Sequence, residues 1–330
     1  MLSRFLFVTL LLMSASMTFA ESRIALVVHG GAGVSREELS LENEAASRKA
    51  LEESLRQGYE ILKAGGSSLD AVSAAIVVLE DSPLFNAGRG AVLTAAGTVE
   101  LDASIMDGAT LKAGAAAGVQ GVRNPIHLAR AIMDKSPHVM LTGPGAEAFA
   151  HEQKLRFEPA EYFILPERVE QLKKAKAAAL KQASGGRIPT MFKVGTVGAV
   201  ALDKQGHLAA GTSTGGMTNK RAGRVGDSPV IGAGTYAEDQ VVAVSCTGHG
   251  EFFIRAAVAY DVAARMKYQS VTVDAATREI IKVKLPKLGG EGGLIALDSK
   301  GEVSTPFNTP GMFHGSIGTD GTVHIAIFEE

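Results

Sequence analysis

One cysteine, Cys246, is all that the 330 residues contain, which excludes an intrachain disulfide framework and a cysteine-built zinc cluster. Neither sign of charge prevails: 33 basic side chains stand against 35 acidic ones, a formal charge of −2. No nucleic-acid partner and no general attraction to an acidic membrane are therefore expected. After the amino end no apolar run approaches the roughly 20 residues that cross a bilayer. The eight histidines form no compact ligand motif. The glycine turn His29-Gly-Gly-Ala-Gly33 lacks the lysine and following hydroxyl of a phosphate-binding loop. No repeat of solenoid length is present.

Glycine is abundant instead. The 38 glycines follow no collagen period and lie among apolar runs, which favours close backbone turns over disorder. A chain with 46% hydrophobic residues can fill one substantial core or two smaller ones. At the amino end, a basic start at Met1–Arg4, the apolar run Phe5–Met13 and small residues up to Ala20 make the three parts of a secretory leader. Export is the expectation, to the periplasm in a Gram-negative cell and outside or into a compartment elsewhere. Removal of residues 1–20 would take Arg4 away and leave no mature transmembrane segment. Cys246, within Ala243-Val-Ser-Cys-Thr, reads as a buried small hydrophobe.

After the leader, Ile24-Ala-Leu-Val-Val-His-Gly reads as a buried strand, Ser35 to Lys63 as a helix, and Ser67 as the cap of a second helix through Leu79. Val92-Leu-Thr and Val99-Glu-Leu suggest strands. Pro125 opens a helix through Asp134. Arg168 to Lys181 reads as an exposed helix that Gln182-Ala-Ser-Gly-Gly-Arg187 ends, a mobile connector with no aromatics among its lysines. Val197–Leu202 and His207–Thr212 form a strand pair across Asp203-Lys-Gln-Gly, Gly250–Arg265 a single helix, and Gly292–Asp298 and Gly321–Phe328 terminal strands. The pattern is layered α/β with much antiparallel sheet.

The informative junction is Val194-Gly195-Thr196-Val197-Gly198. Alone, Thr196 is an ordinary strand residue. With the bond before it cut, it carries an α-amine beside its hydroxyl, so one residue holds both base and nucleophile. That amine has a reference pKa of about 7.7–8.0 and is substantially unprotonated near neutrality. Around this junction, Pro83-Leu-Phe-Asn-Ala-Gly, Leu101-Asp-Ala-Ser-Ile-Met-Asp-Gly, Thr212-Ser-Thr-Gly-Gly-Met-Thr-Asn-Lys, Gly223-Arg-Val-Gly-Asp-Ser-Pro and Ser245-Cys-Thr-Gly follow in order. The set resembles the plant-type asparaginase and isoaspartyl-peptidase family of N-terminal-nucleophile hydrolases, weakly only through roughly residues 156–192.

The resemblance implies a four-layer αββα sandwich made jointly by residues 21–195, an α portion, and 196–330, a β portion. It implies self-cleavage before Thr196 and a dimer of the resulting α/β pairs. Thr196 would attack L-asparagine or β-aspartyl dipeptides. Thr214 would orient it, and Thr247 and Gly248 would hold the oxyanion. Arg224 would pair with the substrate α-carboxylate and Asp227 with its α-ammonium, with Gly250 touching the substrate. Asn86 matches a supporting residue, in a loop that implies a structural sodium ion; no cofactor is implied for the chemistry. His249 stands where many relatives carry threonine and is the candidate for leaving-group preference. Asp102 and Asp107 read as scaffold. A glycosylasparaginase-like hydrolase and an inactive exported amino-acid-binding protein are the alternatives.

Overall fold

A computed structural model describes residues 23–183 and 195–329. The expected leader at residues 1–20 and the end of the connector, residues 184–187, lie outside them. Among the described residues, twelve strands build two sheets. They are β1 (Ala25–Ala32), β2 (Leu101–Asp107), β3 (Ala113–Val119), β4 (Met140–Thr142), β5 (Val197–Leu202), β6 (Leu208–Thr214), β7 (Thr235–Glu238), β8 (Val242–Gly248), β9 (Gly292–Asp298), β10 (Val303–Ser304), β11 (Met312–Ile317) and β12 (Val323–Ala326). The larger sheet runs β12-β11-β1-β5-β6-β2-β3-β4 and the smaller β10-β9-β8-β7. Every pairing is antiparallel except β3 with β4.

The central strands are buried on both faces, so their alternate residues enter different cores. Leu26 and Val28 of β1, with Val197, Ala199 and Ala201 of β5, pack under α1 (Leu41–Lys63) and α2 (Ser68–Asp81). Val27, Val200 and Leu202 point the other way, against Ala243 of β8 and Ile295 and Leu297 of β9. The opposite faces of those strands, through Val244, Cys246, Leu294 and Ala296, meet helices further along the chain. The order helix, sheet, sheet, helix is the four-layer sandwich expected. Truncating a fully buried side chain such as Leu26 or Ile76 to alanine should cost about 2–5 kcal/mol.

Local signals place several boundaries. Ser67 caps α2 by accepting from the Asp70 N–H, and Pro125 stands at the first position of α3 (Pro125–Lys135). Helix α1 starts later than its periodicity suggests, because Ser40 accepts from Asn43 N and residues 36–38 form a turn. Val92–Thr94 is no strand; Thr94 makes one isolated bridge with Lys220. Beyond α4 (Gly143–Glu152) and α5 (Ala160–Phe163), helix α6 (Pro166–Ala183) is less exposed than its lysines imply, since Arg168, Leu172 and Ala175 are buried. The helix expected from Gly250 to Arg265 divides into α7 (Gly250–Ala256) and α8 (Val258–Gln269), with Ala257 left-handed at φ 48°. The N–H groups of Ala259 and Tyr260 bond to the carbonyls of Ala233 and Gly232, so the break satisfies two donors that begin α8. Helix α9 (Val273–Arg278) and the helical turns that follow it to Lys287, through Ile280, Ile281 and Leu285, complete this outer layer.

Candidate active site

Thr196 stands at the entrance to β5. The register pairs Val197 with Ser213, and one step further brings Thr196 opposite Thr214 at the end of β6. The buried Thr196 hydroxyl donates to Thr214 Oγ1 at 3.1 Å and lies 3.5 Å from Ser228 Oγ. Thr214 Oγ1 also accepts from the Gly216 N–H at 3.0 Å. The turn after β6 is held in its place by Asn86, whose Nδ2 donates to Gly216 O at 2.7 Å while its Oδ1 accepts from Val92 N at 2.9 Å. Asn86 thus ties the loop after α2 to the residue that fixes the Thr196 hydroxyl.

The peptide before Thr196 is crowded from two sides. A Cβ on Gly31 would lie 2.4 Å from the Gly195 carbonyl oxygen, and one on Gly195 would lie 2.4 Å from Thr247 Oγ1. Gly31 has φ +110°, a conformation that glycine reaches without strain. Thr247, at the end of β8, accepts from the Ala32 N–H at 3.3 Å, and Gly248 follows it. Below them His29 is fully buried, with Nε2 3.0 Å from Ser245 Oγ. Its burial pushes the imidazole down to about 3, so it is neutral at physiological pH.

The residues expected to hold a substrate's charged ends come together around Gly250. A Cβ there would lie 2.8 Å from Asp227 Oδ1 and 3.1 Å from Arg224 Nη2. Asp227 is buried and its Oδ2 has no hydrogen-bond partner. Burial pushes its carboxyl up to about 7, against the neighbouring Arg224 charge. Arg224 does not pair with Asp227. Its Nε and Nη2 donate to the two Glu251 oxygens at 3.0 and 2.9 Å. His249 Nε2 lies 3.2 Å from Glu251 Oε2, and its ring meets Phe252 edge to face at 4.7 Å. The hydrogen bond with His249, and then those from Arg224, hold the Glu251 carboxyl well below the usual carboxylate range.

Nine expected residues therefore fall into two adjoining groups: a hydroxyl group of Thr196, Thr214, Thr247, Gly248 and Asn86, and an ionic group of Arg224, Asp227, His249 and Gly250. Ser228 adjoins Asp227 in the chain and approaches Thr196, so it joins the two. The sequence reading gave neither Ser228 nor Glu251 a role, although each is next to a nominated residue. Asp102 is buried on β2 and accepts from Gly118 N at 2.7 Å, while Asp107 closes a turn with Thr110 and Ala109. A cavity of about 450 Å³ lies to one side, lined by Val34, Leu84, Arg168 and Phe313 among others. None of the nine residues lines it, and the ionic group around Gly250 is the better candidate for substrate.

A buried hydroxyl at a strand entrance, a crowded peptide before it, and a guanidinium and a separate buried carboxyl alongside suit nucleophilic attack on an amide of a small zwitterion. A family model described as asparaginase matches residues 22–327. The chain belongs to the asparaginase family. This is a family of N-terminal-nucleophile amidohydrolases with the sandwich layering described above. The isoaspartyl peptidase of Salmonella typhimurium is 52% identical over 295 residues, covering 88% of this chain and 94% of that one. The isoaspartyl peptidase of Escherichia coli is also 52% identical, over 88% and 92% of the two chains. A probable isoaspartyl peptidase/L-asparaginase of Arabidopsis thaliana is 44% identical over 92% and 99%.

Proposed function

We propose that this asparaginase-family chain is an isoaspartyl peptidase that also hydrolyses L-asparagine, made active by a cut before Thr196. The observation that carries the proposal is the Thr196 hydroxyl, bonded to Thr214 and adjoining a Gly195 peptide pressed between Gly31 and Thr247. The names of its relatives support the substrate class.

In maturation, Thr196 Oγ attacks the Gly195 carbonyl carbon and the C–N bond breaks, moving the acyl group from nitrogen to oxygen. Water then hydrolyses that ester, leaving a Gly195 carboxylate and a Thr196 amine. In turnover, the amine takes the hydroxyl proton as Oγ attacks the side-chain carbonyl of the substrate, then delivers it to the departing amine. Water cleaves the β-aspartyl ester and frees aspartate. Thr214 holds Oγ in line, and the Thr247 hydroxyl and Gly248 N–H stabilise the oxyanion. Arg224 takes the α-carboxylate after releasing Glu251, Asp227 takes the α-ammonium, and His249 borders the leaving group.

The loop around Asn86 suits an alkali ion that braces it. The carbonyl oxygens of Phe85, Pro83 and Ser82 all lie close to Gly90, and main-chain oxygens are the donors that hard cations take. Export behind residues 1–20 and assembly as a dimer of α/β pairs complete the proposal.

Intact mass spectrometry of the purified chain over time, with the new amino termini mapped, tests the cut. Fragments beginning at Thr196, together with aspartate release from a β-aspartyl dipeptide, are expected. A chain that stays whole and releases no aspartate overturns the reading and leaves amino-acid binding alone as the function.

A further inference from the structure

Helix α6 carries a buried cation to which no carboxylate among the described residues is bound. Arg168, in its first turn, is 4% exposed. Its Nε donates to the Gly90 carbonyl at 2.7 Å, its Nη2 reaches the Leu84 carbonyl at 3.5 Å, and its Nη1 donates to Gln171 Oε1 at 3.0 Å. Burial lowers the guanidinium to about 10, against the nearby Glu167 charge, so it remains a cation at neutral pH. A buried charge is tolerated when neutral dipoles solvate it with good geometry. Here two of the three acceptors are main-chain carbonyls at opposite ends of one loop.

That loop contains Asn86. From Asn86 the contacts lead to the Gly216 carbonyl, from the Gly216 N–H to Thr214 Oγ1, and from there to the Thr196 hydroxyl. A planar fork can span two carbonyls that a single ammonium cannot bridge with the same geometry. We propose that Arg168 is a positioning residue for the nucleophile: by tying Leu84 to Gly90 it fixes the loop whose Asn86 sets Thr214, and through Thr214 the Thr196 hydroxyl. This rests on the reading of Thr196 as the nucleophile. Arg224, Asp227 and Gly250 stand on other segments, with only the Arg224 guanidinium approaching the link, at Gly216, so the link acts mainly on the reacting atom. Arg168 also falls in the stretch where the family motifs are weakest, and the sequence reading left it without a role.

The test compares the full chain with its Arg168→Gln and Arg168→Lys variants. Folded fraction, the rate of fragment appearance, and kcat and KM on a β-aspartyl dipeptide are measured, with amide hydrogen exchange over residues 82–92 and 212–220. Glutamine keeps one donor group and cannot span both carbonyls. The expected result for Arg168→Gln is a loss of about ten- to hundredfold in kcat, KM within about twofold of the parent, slower fragment formation and faster exchange in both segments. Arg168→Lys should fall between the parent and Arg168→Gln, since it keeps the charge and one carbonyl bond but cannot span both carbonyls. Parental kcat per folded Arg168→Gln molecule, or an equal change in kcat and KM, overturns the proposal. Should Arg168→Gln not fold, Arg168→Lys is combined with Asn86→Ser, and simple additivity of their effects on kcat overturns it equally. A parent that neither divides nor turns over substrate counts against the Thr196 reading instead. Exchange in residues 212–220 then decides the Arg168 link, an unchanged rate in Arg168→Gln overturning it.

Discussion

Replacing Glu251 by glutamine removes the charge with which a substrate α-carboxylate must compete for Arg224. Glu251 meets the guanidinium through two bonds, at 3.0 and 2.9 Å. Coulomb's law gives such a pair about 6 kcal/mol at an effective dielectric constant near 20. Water screens most of that, since the Glu251 side chain is 46% exposed, and measured pairs of this kind retain about 1 kcal/mol. A loss of about 1 kcal/mol of competition lowers KM about fivefold, with kcat unchanged. The comparison belongs near pH 8, above the value of about 7 at Asp227, because Glu251 also raises that carboxyl and its removal would otherwise act twice. A β-aspartyl dipeptide whose aspartyl α-carboxylate is a carboxamide serves as control and should gain nothing. An unchanged or higher KM in Glu251→Gln, or an equal gain on the carboxamide, refutes the competition.

Thr196→Ala should leave the chain undivided and without turnover while its folded fraction stays near that of the parent. The same two fragments appearing by mass would show that another group makes the cut. Asp227 must be ionised to hold an ammonium, and below about pH 7 it carries a proton. KM should therefore rise about tenfold per unit as pH falls below 7 and level off above it; a flat profile from about pH 5.5 to 8 would remove Asp227 from the clamp. Glu80 is fully buried with its carboxyl pushed up to about 8 by burial. The unfolded chain loses this proton first, so stability should decline as pH rises from about 4.5 to 8. Glu80→Gln should flatten that decline, gaining on the order of 2–4 kcal/mol at pH 8 relative to pH 5 in denaturant melts, and an identical slope in both proteins would contradict the assignment.

Features written in local chemistry were legible. The Ser67 cap, Pro125 at a helix start, the β5–β6 pair across Asp203–Gly206 and burial of Cys246 needed only near neighbours. The αββα order was legible only through the family resemblance, since periodicity does not order strands. Features that depend on distant partners escaped. The left-handed Ala257 answers to carbonyls at residues 232 and 233, and the buried face of α6 to a loop some 80 residues earlier. At the site, each nominated residue came with its motif, but the pairing of Arg224 did not. Arg224 and Asp227 were expected only to hold the two ends of a substrate, whereas the fold also gives Arg224 to Glu251 and leaves Asp227 a carboxyl without a donor on Oδ2. That difference governs the pH dependence.

The placement of β5 between β1 and β6 bears on what a cut at residue 196 leaves behind. Strands from before and after that point alternate in one sheet: β1 lies between β11 and β5, and β6 between β5 and β2. Two separate polypeptides would then share ladders on both sides, and neither could leave without dismantling the sheet. Unfolding, unimolecular for the whole chain, becomes a dissociation, and its midpoint should shift with protein concentration. Refolding of the divided protein becomes a bimolecular search, slow at high dilution, where the undivided chain folds at a rate independent of dilution. The native state would thus be held by its own barrier to opening, and heating would spend the enzyme irreversibly.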